Sequence, residues 1–177
     1  MLWVFAIVLG LVFGLVTGGN LTNLARLKFR WPWVIVAVIV VRGAVLLTPL
    51  NGIAGAQYLY VVALAAIIAW TVWHFDRVRG IWLIAVGAAS NLLVILFNGA
   101  RMPVAPELAG SLIQRGNLGQ YTVMSGATHV NLLGDWIKLG PLPEAYSIGD
   151  VLIAIGLAIV VFLAVRNPGA QKELNPP

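Results

Sequence analysis

The sequence contains no cysteine, which excludes disulfides, thiolate nucleophiles and thiolate metal sites. Charge is nearly as scarce. Only 10% of the 177 residues are Asp, Glu, Lys or Arg, against 60% hydrophobic. A soluble domain carries about 25% charged residues, so a water-facing surface cannot be built from this inventory. Acid is the scarcer sign, with six Asp and Glu against eleven Lys and Arg, giving a net charge of +5 and a pI near 10.1. The basic residues flank apolar runs instead of forming a stripe, so they read as topology determinants at lipid headgroups and exclude a nucleic-acid partner. No phosphate-binding glycine loop, nucleophile elbow or dinucleotide fingerprint is present, and no cofactor is expected. No internal repeat is apparent, and the chain reads as a single domain over residues 1–177.

What is present is five hydrophobic stretches of a length suited to a bilayer core about 30 Å thick. They run over about Leu2–Thr17, Trp31–Leu50, Gln57–Trp73, Ile81–Phe97 and Ile148–Val165. The first lacks a basic leader and a small-x-small cleavage site, so it is expected to be a retained helix rather than a signal peptide. Gly10, Gly14 and Gly18 recur at four-residue spacing on one face of it and would admit a close helix neighbour. Trp31 and Trp33 suit an interfacial belt, and Pro32 suits a first helical turn. The expected fold is therefore all-α, a polytopic membrane bundle of about five transmembrane helices.

The basic residues orient it. Arg26, Lys28 and Arg30 follow the first stretch, Arg77 and Arg79 the third, and Arg166 and Lys172 the fifth, whereas the loop between the second and third has no charge. The positive-inside rule then places the N-terminus outside and the C-terminus in the cytoplasm, with the bacterial plasma membrane as the expected location. Residues 166–177 form a polar tail.

The connector over residues 99–147 is too long and too mixed for a simple turn. Pro106-Glu107-Leu108-Ala109 opens a short amphipathic helix through Leu112 or Ile113. Leu132, Leu133, Trp136 and Ile137 suit a segment dipping into the interface. The connector is expected to be a partly helical cap on the outer mouth of the bundle.

Polar side chains gather toward that same side, and charge in or near hydrocarbon marks a functional site by default. Arg42, a little past the middle of the second stretch, either snorkels to phosphate or faces the bundle to bind a carboxylate or an anionic group. Asp150 and Asp135 are its candidate partners. Asn91 and Asn98 lie seven residues apart on one helical face, with Arg101 three further on. Such a row serves interhelical hydrogen bonds or the polar wall of a ligand site, to which Gln57, His129 and Asn131 would add. Asp150 sits where a carboxylate caps a helix, and Asp135 reads as a solvated loop charge. Held together, the two would form an acid/base pair. His129, Asp135 and Asp150 match no familiar metal-ligand spacing, so no metal is expected. His74, beside Asp76, reads as an interfacial residue on the inner side.

Two resemblances rest on these residues. Asn98-Gly99-Ala100-Arg101-Met102-Pro103, then His129 and Gly134-Asp135, then Ser147-Ile148-Gly149-Asp150 opening a last helix, resemble an uncharacterised family of small bacterial integral membrane proteins, a domain of unknown function. That resemblance covers nearly the whole chain and implies no activity. Over residues 131–165, Asn131-Leu132-Leu133-Gly134-Asp135 and Tyr146-Ser147-Ile148-Gly149-Asp150 are similar to lipoprotein signal peptidase, which would make Asp135 and Asp150 a catalytic dyad. Trp136 stands where that enzyme has arginine, Ser147 where it has asparagine, and it has four helices instead of five.

The leading functional expectation is a non-enzymatic membrane protein, an accessory subunit or a binder of a lipid headgroup or other anionic ligand through Arg42, Gln57, Asn91, Asn98 and Arg101. Its partners would be the bilayer and a protein or lipid at the outer face. The competing expectation is a membrane-embedded aspartic hydrolase.

Overall fold

The computed structural model describes residues 1–26, 29–47, 55–114, 120–140, 142 and 144–166. Its framework is helical: α1 (Leu2–Val16), α2 (Trp33–Leu47), α3 (Ala56–Val72), α4 (Ile81–Phe97), a short α5 (Pro106–Gln114) and α6 (Ile148–Arg166). Runs of Leu, Ile, Val and Ala with no interior proline form the five long helices, and each starts or stops within two residues of the boundary expected from sequence wherever that boundary is described. The expected end of the second stretch, residues 48–50, lies outside the described residues. Of the described helices, α6, at 19 residues, is long and apolar enough by itself to cross a membrane, and α1, α3 and α4 are shorter apolar helices.

The long helices pack in the spatial order α1, α6, α4, α3, α2. Small residues set the spacing. Gly10 faces the backbone of Ala158, Gly14 faces Val165, and Gly156 faces Ile84, and a Cβ added at any of the three would collide. Between α4 and α6, Gly87 and Gly149 meet backbone to backbone. Gly18 does not extend the α1 row. It has a left-handed φ of +89° and open space around it, so it ends the helix, and Gly19 takes the packed position against Val165.

Helix directions follow from end contacts. The Met1 ammonium lies 3.0 Å from Glu144 at the start of α6, and the Asn20 N–H donates to the Val165 carbonyl near its end, so α1 and α6 are parallel. The α4 contacts to α6 run in the reverse order, making that pair antiparallel. The segment leading into α2 lies against the end of α3. There the Trp70 indole N–H donates to the Arg30 carbonyl at 2.8 Å, and His74 Nε2 accepts the Arg30 N–H at 3.0 Å. Helix ends therefore sort into two layers. One holds the connector and the start of α1; the other holds Arg30, Arg77, Arg79 and Arg166.

His74, in the layer that holds Arg30, Arg77 and Arg79, is fully buried. Its Nδ1 lies 2.7 Å from the Trp70 carbonyl and its ring stacks on Trp70 at 4.1 Å between centroids, with Phe29 and Trp73 completing the surround. An acceptor beside Nδ1 and a donor beside Nε2 assign the ring proton to Nδ1.

The connector is ordered around strand β1 (Met102–Val104), which pairs in parallel with β2 (Tyr121–Val123). On the other side of β1, Val104 bridges Asp135. A second pair, β3 (Ile137–Lys138) with β4 (Ala145–Tyr146), is antiparallel and leads into α6. The helix expected from Pro106 is α5, while the strand pairs were not foreseen. They are two or three residues long, below the length at which alternation can be read.

Candidate functional site

The first four backbone N–H groups of a helix lack intrahelical partners. At α6 the sequence Ser147-Ile148-Gly149-Asp150 supplies them in the reciprocal manner of a capping box. The Ser147 hydroxyl accepts the Asp150 N–H at 2.9 Å, and Asp150 Oδ2 accepts the Ser147 N–H at 3.3 Å. Asn91 on α4 closes the ring. Its amide N–H donates to Asp150 Oδ1 at 3.0 Å, and its Oδ1 accepts the Ser147 O–H at 2.8 Å. Ser147 is wholly buried and Asn91 nearly so. Two glycines make the insertion possible, because a Cβ on Gly149 would overlap both Asn91 Oδ1 and the Gly87 carbonyl. The capping reading of Asp150 thus describes the structure, extended by a side chain from another helix.

A second amide fastens the connector. Asn98 ends α4, donates to the His129 carbonyl at 2.8 Å and accepts the His129 N–H at 2.8 Å. It also donates to the Val94 carbonyl of its own helix at 2.7 Å. Just beyond it, Ala100 holds a left-handed φ of +64° so that its N–H reaches the Ile95 carbonyl at 2.9 Å, and its methyl is buried in the core. The Asn91–Asn98 row therefore serves interelement hydrogen bonding: one amide binds α6, the other the connector.

Asp135 is not a solvated loop charge; it is only 5% exposed. Its backbone is the third partner of the β1 region, donating to the Pro103 carbonyl at 2.8 Å and accepting the Ala105 N–H at 2.9 Å. Gly134 before it allows that approach, since a Cβ there would meet the Pro103 carbonyl. The backbone of Asp135 is thus built into the connector's strands, and the carboxylate of Asp150 into the cap of α6.

The remaining candidates are distributed around this junction. Arg101 and the His129 side chain are exposed, and Gln57 is half-buried in the first turn of α3. Asn131 opens the 3-10 turn Asn131–Leu133, and its carbonyl accepts the Gly134 N–H. Arg42 belongs to α2, and its side chain lies outside the described residues. At the edge of the junction, Tyr146 donates its hydroxyl to Glu144 at 2.8 Å. Burial and that carboxylate push the hydroxyl up to about 12. Among the described residues no group of three or more His, Asp and Glu side chains is placed to hold a metal.

The residue that sequence reasoning underrated is Ser147. It was legible as a capping position three before an acid, but its second bond, to Asn91, depends on a partner 56 residues away.

This architecture, a set of apolar helices in which two amides of α4 fasten the start of α6 and the connector, defines a class without defining an activity. Residues 26–162 match a family of unknown function, DUF5317, and the chain belongs to that family. No curated protein and no solved structure matches the chain, so the similarity to lipoprotein signal peptidase gains no support from these comparisons.

Proposed function

We propose that the chain is an integral membrane protein of five spans, N-terminus outside and C-terminus in the cytoplasm, acting as a non-enzymatic scaffold or accessory subunit. Its connector is an outer cap that offers Arg101 and His129 to an anionic headgroup or ligand. The observation carrying this reading is that large apolar side chains lie exposed on every long helix. Phe5 and Val12 on α1, Ile39 on α2, Val62 on α3, Leu96 on α4 and Ile155 on α6 are examples. Soluble monomers rarely expose contiguous apolar patches beyond a few hundred Å². At about 1.5 Å per residue the helices span roughly 22–29 Å, close to a hydrocarbon core once their flanking turns are added. Arg30, Arg77, Arg79 and Arg166 fall in the layer opposite the cap, as cytoplasmic basic residues would.

The hydrolase reading is weaker on one point. Both oxygens of Asp150 accept hydrogen bonds from Asn91 and Ser147, as a helix cap requires, whereas a water-activating base presents an oxygen toward substrate.

Two measurements test the proposal. The chain should stay with the membrane pellet after alkaline carbonate extraction, and release into the supernatant would refute the integral reading. Asp150→Asn should lower thermal stability in detergent while leaving any cellular phenotype of the gene intact at restored protein level. Loss of that phenotype in a stable, fully expressed Asp150→Asn protein would favour the hydrolase.

A further inference from the structure

The connector carries an apolar surface of its own. Leu132 is 67% exposed, and Val130 and Trp136 are also exposed, while Leu133 between them packs onto the core beside Ala100 and Met102. The segment is rigidly held. His129 is clamped front and back by Asn98, Gly134 is bonded to Asn131, and the Trp136 indole N–H donates to the Leu132 carbonyl at 2.8 Å. That last bond satisfies the polar atom of Trp136 locally and leaves its ring free to lie in an apolar medium. Val130 holds φ +54°, a left-handed conformation rare for a β-branched residue. Such outliers persist where the surroundings over-determine them, and they gather at functional surfaces.

Two observations indicate what covers this surface. The Asn98–His129 clamp starts the segment directly beside Leu96 and Phe97, which are exposed at the end of α4. The exposed apolar end of α4 thus lies beside the start of the segment, which on the membrane reading is the level where acyl chain gives way to headgroup. Arg101 and His129 flank that junction and are exposed, as phosphate-binding side chains would be.

We infer that residues 130–136 form an interfacial anchor, with Leu132, Val130 and Trp136 seated in the outer leaflet and Arg101 and His129 at its phosphates. The anchor fixes the height of the cap over the bundle. This inference rests on the membrane reading above and deepens it.

The cysteine-free sequence makes the test direct. Single cysteines are placed at Leu132, at Val86 on the exposed face of α4 and at Ala127 on the exposed cap, and each is labelled with bimane. The full chain is reconstituted in vesicles of phosphatidylcholine and phosphatidylglycerol. Leu132→Cys should be quenched by lipids brominated near the carbonyl end and protected several-fold from aqueous iodide relative to Ala127→Cys, with Trp136→Cys behaving as Leu132→Cys does. If Val86→Cys is lipid-quenched while Leu132→Cys is as open to iodide as Ala127→Cys, the anchor is refuted and the membrane reading stands. If Val86→Cys is itself iodide-quenched, the membrane reading fails first. Protection of Leu132→Cys from iodide without lipid quenching would mean that protein covers it, and would overturn the assignment to lipid.

Discussion

The Asn91 amide and the Asp150 carboxylate, 59 residues apart in sequence, are joined by a 3.0 Å hydrogen bond between α4 and α6. Because Asn91 also accepts the Ser147 hydroxyl, one side chain satisfies both partners of the capping box. Asn91→Ala removes both bonds, taking one donor from the Asp150 carboxylate and leaving the buried Ser147 O–H without its acceptor. Unsatisfied buried groups cost about 1–3 kcal/mol each, so Asn91→Ala should destabilise by about 2–3 kcal/mol. Ser147→Ala should cost about 1–2 kcal/mol, the worth of a cap. Thermal or denaturant unfolding in detergent ranks them, and the double mutant should cost less than the sum because the two share a network.

Gly149→Ala and Gly110→Ala should move in opposite directions. At Gly149 the new methyl would meet Asn91 and the Gly87 carbonyl; at Gly110, on α5, nothing lies within 4 Å. Overpacking costs typically about 1–3 kcal/mol, while alanine for glycine in an open helix position gains up to about 1 kcal/mol. Unfolding midpoints of the two variants check the sign of each.

Burial, and then Glu144, push the Tyr146 hydroxyl up to about 12 by disfavouring tyrosinate. A folded-state value above the ordinary one means the protonated hydroxyl is favoured by folding, so this contribution is complete below about pH 10 and is lost as pH rises toward 12. The fall in stability over that window should be shallower in Tyr146→Phe, measured as the difference between the two melting-versus-pH curves. Parallel curves would contradict the buried Tyr146–Glu144 bond.

His74 ties the entry to α2 onto the end of α3 by accepting a backbone N–H. His74→Ala leaves the Arg30 N–H without its acceptor and opens a cavity beside Trp70, and the two effects together should cost about 3 kcal/mol. Hydrogen exchange should localise the loss to residues 29–35 and 70–74, whereas uniform weakening of the bundle would contradict the latch.

The long helices were legible because apolar runs bounded by Pro, Gly and charged clusters carry their own limits. Asp150 was legible as a cap because it is an acid in the first turn of the last apolar run. The Asn91 and Asn98 contacts were visible only as amides on an apolar helix; their partners, at Asp150 and His129, are fixed by packing no local pattern encodes. Burial of Asp135 follows from its backbone joining a strand only three residues long, and burial of His74 from a turn folding back over it. Gly18 shows the same limit: its spacing fitted the glycine row, but the helix had ended.

The most direct test of the account is the side of the membrane on which the cap lies. Ala127→Cys on the cap and Arg79→Cys between α3 and α4 can be labelled separately in intact cells with a membrane-impermeant maleimide, on a background without native thiols. The account predicts that Ala127→Cys labels in intact cells and Arg79→Cys only after permeabilisation. Labelling of Arg79→Cys from outside, or of both positions equally, would contradict it.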